Sequence, residues 1–194
     1  MMRSSSILVA KYAAAAVLAL CVCSEASATT LERLSLGDMT DRSMVVVRGM
    51  VTAAGAGELK NGVISTHYQL TVSEVWKGTA PAQVDIYVPG GRAQGFLQSV
   101  PGAPVLSPGV DYVVFLWIGP SGRPQIIGLS QGLFTVIAGR NGSLFLDRGA
   151  VAEMMVDSKT GIPVTPQTVH IQAAELKKFV QGRVATIQKA AGGK

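Results

Sequence analysis

Beyond its first 28 residues the chain has no cysteine; the only two are Cys21 and Cys23. With that segment removed, no disulfide, thiol nucleophile or cysteine-based metal site is available, even in an oxidising compartment. Histidine is nearly as scarce, with only His67 and His170, and neither HxxxH nor DxD spacing occurs. Aromatic residues make up 6% of the chain and charged residues 15%, so a strongly charged tail or a dense stacking surface is not expected. The one long apolar run, residues 12–22, is too short for a spanning helix, which needs about 20 residues.

That run follows Arg3 and Lys11 and precedes Ala26-Ser27-Ala28. A positive start, a short apolar centre and small residues before a cut describe a secretory signal peptide, residues 1–28, cleaved after Ala28. The expected location is the periplasm or the cell exterior, with membrane contact only through this segment before cleavage. Leu20 and Val22 precede the cysteines where a lipid-attachment signal wants a small residue, so no lipid anchor is expected. Cleavage leaves 194 − 28 = 166 residues, one comfortable domain over residues 29–190 with a disordered tail at 191–194. Removing Arg3, Lys11 and Glu25 leaves 15 basic and 11 acidic residues, a scattered net charge of +4. Nucleic-acid binders cluster positive charge on one face, so such a partner is not expected.

Ser35-Leu36-Gly37-Asp38 has the spacing of a helix cap, with Asp in place of the usual Glu or Gln. A short helix is expected to about Ser43. Residues 44–52 (MVVVRGMVT) read as a strand with a bend at Gly49, and residues 53–62 (AAGAGELKNG) as a turn-rich loop. In VISTHYQLTVSEVWKG, Ile64, Tyr68, Leu70 and Val72 share one strand face and His67, Gln69, Thr71 and Ser73 the other. The phase slips between Val72 and Val75, which predicts a bulge. Val84, Ile86 and Val88 alternate again, and DYVVFLWI is apolar on both faces, as in a central strand. RPQIIGL, LFTVIAG and SLFLD give three more short strands. Val169, Ala173, Leu176, Val180, Val184 and Ile187 follow helical spacing, although residues 168–171 also suit an extended chain. The expected fold is mainly β, an OB-like closed or partly open barrel with a short N-terminal helix and a C-terminal amphipathic helix.

Motifs that suggest chemistry have plainer readings. GGRAQG lacks the Lys-Ser/Thr ending and the following helix that a phosphate loop needs. Gly128-Leu129-Ser130-Gln131-Gly132 matches the serine-hydrolase elbow, but strand-like sequence follows where that elbow requires a helix. Asp85 and Asp111 are the available carboxylate pair. Asn141-Gly142-Ser143 fits a glycosylation signal and, better, a hairpin turn. Trp76, Tyr87, Tyr112 and Trp117 suit core packing, since Tyr112 and Trp117 fall on opposite strand faces.

The remaining feature is residues 88–109, VPGGRAQGFLQSVPGAPVLSPG, a long connection with one arginine and no carboxylate. Phe96, Leu97, Val100 and Val105 are expected to tuck against the barrel mouth, leaving Arg92, Gln94 and Gln98 at the rim. Arg92, Gln94, Phe96 and Arg123 are the candidate binding residues. No catalytic residue, metal or cofactor is expected. The reading is an exported noncatalytic binding or interaction module for a protein or small ligand. The alternatives are a secreted hydrolase using Ser130 or a carboxylate pair, and an oligonucleotide or glycan binder.

The order of motifs resembles netrin-like and tissue-inhibitor-of-metalloproteinase-like modules, and a group of exported bacterial proteins of unassigned function. The markers are Val47, Gly49 and Val51, then Val75-Trp76-Lys77-Gly78, then Pro108-Gly109 before Tyr112, over residues 35–136. The resemblance implies an OB-fold barrel. Inhibitory members of that family use an N-terminal cysteine, held by disulfides, against a catalytic zinc. This chain has neither, so zinc-protease inhibition does not carry over.

Overall fold

A computed structural model describes residues 30–150 and 154–192; the expected signal segment, residues 1–28, and the end of the expected tail, residues 193–194, lie outside them. After a short strand β1 (Leu31–Arg33), Ser35 caps helix α1 (Leu36–Arg42). Asp38 N donates to Ser35 Oγ at 3.0 Å and the Asp38 carboxylate accepts from Ser35 N at 3.1 Å. Aspartate therefore completes the reciprocal cap that the sequence matched in part.

The long strands follow: β2 (Val45–Lys60), β3 (Val63–Lys77) and β4 (Gln83–Pro89). A small hairpin, β5 (Gly91–Ala93) and β6 (Phe96–Gln98), precedes the central β7 (Asp111–Ile118). Then come β8 (Pro124–Ile126), β9 (Leu133–Ala138) and β10 (Leu144–Arg148). The chain ends through β11 (Met155–Asp157), β12 (Pro163–Val164), β13 (Val169–Gln172) and helix α2 (Ala173–Gly192). The main sheet runs β13-β10-β9-β7-β2-β3-β4, with β8 also paired to β7. β1 pairs in parallel with β11, which pairs with β12.

Tyr112, Val113, Val114, Phe115 and Leu116 are all buried because the sheet has a core on each face. On one side, Val47, Leu70, Ile86, Val114 and Leu116 pack inside the curl of β2, β3, β4 and β7. On the other, Val46, Phe115, Phe134 and Leu146 meet Met39 of α1 and Leu176 and Val180 of α2. Full burial of a leucine or phenylalanine contributes about 1.5–3 kcal/mol, so this second core is what holds both helices. In α2, Ala173, Leu176 and Val180 are buried, whereas residues from 181 onward are half-buried or exposed.

The β2–β3 register shifts at Arg48/Gly49, opposite Glu74 and Val72, so the bend at Gly49 and the slip between Val72 and Val75 are one irregularity. A Cβ at Gly49 would strike the Thr71 carbonyl oxygen, which explains the glycine.

The structure corrects two expectations. Residues 53–60 are strand rather than loop: β2 continues to Lys60 and turns only at Asn61 and Gly62. Their small residues permit close approach, since a Cβ at Gly57 would collide with the Arg92 carbonyl oxygen. Ala191 and Gly192 belong to α2 rather than to a tail. The expected mainly β fold is present, with its main sheet not closed by hydrogen bonds. β4 comes alongside β8, but no ladder joins them among the described residues. What stands is a mainly β fold with two helices, one of them C-terminal.

Candidate functional site

The connection after β4 is built around a two-residue hairpin. Gln94 and Gly95 have φ of 51° and 82°, the left-handed pair that joins twisted strands tightly. Arg92 pairs with Leu97 on one face and Ala93 with Phe96 on the other. The base of the hairpin is fixed. Gly90 N donates to Ile64 O at 2.8 Å, Thr66 Oγ1 to Gly90 O at 2.9 Å, and Ile64 N to Gln98 Oε1 at 2.6 Å. Ala93 and Leu106 are buried beneath it.

The tip is bare. Phe96 is 66% exposed and Leu97 63%, and Val105, in the connection that follows the hairpin, is 80% exposed. These three side chains do not tuck against the sheet as the sequence suggested, whereas Val100 is half-buried. Arg92 and Gln94 are exposed beside them.

Arg123 lies elsewhere. It donates to Glu58 Oε1 at 2.7 Å, and its guanidinium carbon sits 4.4 Å from the Tyr87 ring centroid. That contact holds the Glu58 carboxyl below its ordinary range. His67 stacks on Tyr87 at 5.0 Å between centroids, and its Nε2 lies 2.8 Å from Asp85 Oδ1. Consecutive strand residues point to opposite faces. Gly57 faces the hairpin backbone, so Glu58 and its partner Arg123 belong to the other face of β2. The structure brings Arg92, Gln94 and Phe96 together on the hairpin and does not bring Arg123 to them. Arg123 instead borders two clefts beside β4 and β8, of about 440 and 390 Å³.

The residues considered for hydrolysis are dispersed. Ser130 sits in a turn with Leu129 at φ 58°, followed by β9 rather than a helix. Its hydroxyl makes no hydrogen bond to either histidine, and the histidines face Asp85 and Asp147. Asp111 accepts from Arg48 at 2.7 and 2.9 Å, so Asp85 and Asp111 each have a cationic or imidazole partner rather than each other. Among the described residues, no group of three or more His, Cys, Asp or Glu side chains converges to hold a metal ion. No helix among them is long and apolar enough to cross a membrane.

One cluster escaped the sequence reading. Glu74 accepts from Lys177 Nζ at 2.8 Å, from Trp76 Nε1 at 3.0 Å and from Arg48 Nη1 at 2.8 Å. Lys177 above all, then Trp76 and Arg48, hold the Glu74 carboxyl down at about 2, against the opposing effect of burial. This network ties α2 to β2, β3 and β7. Its only sequence signal was an acidic residue at the phase slip.

No protein-family model matches the chain, and no curated protein matches it at a significant level. The hairpin therefore has to be read from its own chemistry. It offers two large apolar side chains, one cation and no acid, on a backbone anchored at its base, which suits it to contact rather than to bond-making.

Proposed function

We propose that the protein is an exported, noncatalytic interaction module that engages a protein partner through the β5–β6 hairpin. The observation that carries this reading is the exposure of Phe96 and Leu97 on both faces of an anchored hairpin. Aromatic residues and arginine are enriched at the centres of protein interfaces, and a pre-ordered loop loses little entropy on docking. Arg92 beside Leu97 favours a partner surface with an apolar pocket and a carboxylate at its edge. Gln94 would supply a hydrogen bond at the tip.

Export is supported by the pattern of residues 1–28. We read the architecture as OB-type. Support comes from the shared core inside β2, β3, β4 and β7, capped by Ile126 of β8, and from the approach of β4 to β8. The resemblance to netrin-like modules accords with that plan, without bearing on the partner.

The test places a photo-crosslinking amino acid at position 96 or, as a control, at Ile137, which is 43% exposed on β9. In the producing cell, position 96 should yield a discrete protein adduct and position 137 none. The adduct should vanish on Arg92→Glu. No adduct at 96, or the same adduct from both positions, overturns the reading.

A further inference from the structure

Arg148, at the end of β10, is an arginine with too few partners. Its Nη1 donates to the Gln131 carbonyl at 2.7 Å, and its guanidinium carbon lies 5.2 Å from the Phe134 ring centroid. Its Nε is buried and has no hydrogen-bond partner. Among the described residues it forms no ion pair with a carboxylate, and burial alone pushes its proton affinity down. Arg148 is half-buried, and a cation drawn partly out of water is stabilised by an anionic partner.

The Arg148 side chain also lines a cleft of about 290 Å³ between β1, the start of α1, β11 and β13. That size is at the small end of ligand sites, which run to roughly 300–1,000 Å³. Arg33 stands on the same cleft, 44% exposed, with Asp157 at 4.0 Å as its acidic neighbour. Among the described residues, two guanidiniums and one distant carboxylate leave close to one positive charge uncompensated. Leu36, Met155 and Val169 supply apolar wall, and Gln167 an amide.

We propose that this cleft binds a small carboxylate on a compact apolar body, its charge met by Arg148 and Arg33 and its body by Leu36, Met155 and Val169. A single residual charge favours a monoanion over a phosphate dianion. Guanidinium N–H groups form charge-assisted hydrogen bonds to a carboxylate. The same chemistry is offered by a free short-chain acid and by the C-terminus of a peptide ending in an aliphatic residue. This site is built from other elements than the hairpin, so it stands or falls independently of the interaction reading.

The experiment is an NMR titration of the purified protein with hexanoate, N-acetylleucine and N-acetylleucinamide. At least one of the two acids should bind at roughly millimolar Kd, the range of a small fragment, and shift the amides of Leu36 and Val169. Binding of hexanoate alone marks a free-acid site, and of N-acetylleucine alone a C-terminus site. The neutral amide should not bind. Arg33→Gln, at the exposed rim, should weaken the acid about fivefold and leave the fold intact, and Arg148→Lys should weaken it about tenfold by replacing the guanidinium's planar donors with a more strongly hydrated point charge. Equal binding of acid and amide, or no binding of either acid, overturns the proposal.

Discussion

Lys177 of α2 donates to Glu74 of β3 at 2.8 Å across 103 residues of chain, and the same carboxylate accepts from Arg48 and Trp76. The C-terminal helix is thus fastened to the sheet by charge as well as by Leu176 and Val180.

Acid should loosen that fastening. The folded carboxyl of Glu74 titrates at about 2, well below its ordinary value of 4.5. A depressed folded value means the contribution is fully present above the unfolded value and is lost as pH falls from there towards the folded value. After screening at a partly exposed site, the loss is about 2 kcal/mol. Thermal unfolding of wild type and Glu74→Gln at pH 7 and pH 3 checks this. The gap between them should shrink at pH 3; a gap that stays constant contradicts the assignment.

The two halves of α2 should respond differently to truncation. Leu176 is fully buried, so Leu176→Ala should cost about 2–5 kcal/mol in denaturant unfolding. Ile187 is 42% exposed, and Ile187→Ala should fall within about 0.5 kcal/mol of wild type. Hydrogen exchange should report protected amides near Leu176 and faster exchange beyond residue 183. Equal costs for the two substitutions would mean the helix packs along its whole length.

Gly57 should be intolerant of a side chain. A Cβ there meets the Arg92 backbone, so Gly57→Ala should cost about 1–3 kcal/mol and disturb the β5–β6 amides in NMR. Gly142, at φ 72° in the β9–β10 turn with open space around it, is the control. Gly142→Ala should cost only its conformational strain, about 1 kcal/mol, without touching the hairpin. Hairpin shifts from Gly142→Ala and none from Gly57→Ala would refute the docking geometry.

Much of this fold is legible in the sequence, for identifiable reasons. Ser35 and Asp38 mark a cap by local chemistry. Ile64, Tyr68 and Leu70 mark a strand by period, and the run at residues 111–118 marks a strand buried on both sides. Residues 53–60 misled because glycine and alanine usually signal a turn, whereas here they admit the Arg92 backbone against β2. The pairing of β1 with β11 is parallel and spans more than a hundred residues, and no local pattern carries it. The candidate site was half legible. A Gly-rich connection with Arg92, Gln94 and Phe96 stood out, but its apolar residues were expected to be covered. Phe96 and Leu97 instead stand exposed on a hairpin anchored at its base. Arg123 was misplaced because the strand face it joins depends on a β2 that runs longer than its composition suggests. Arg148 gave no signal, since nothing in a sequence tells a half-buried arginine from a solvated one.

The most direct test of the interaction account is a paired reading on Phe96→Ser/Leu97→Ser, with the photo-crosslinker at Val105. The account predicts an unfolding midpoint within about 0.5 kcal/mol of wild type, because both side chains are already exposed, together with complete loss of the protein adduct. An undiminished adduct in the folded double variant would contradict it.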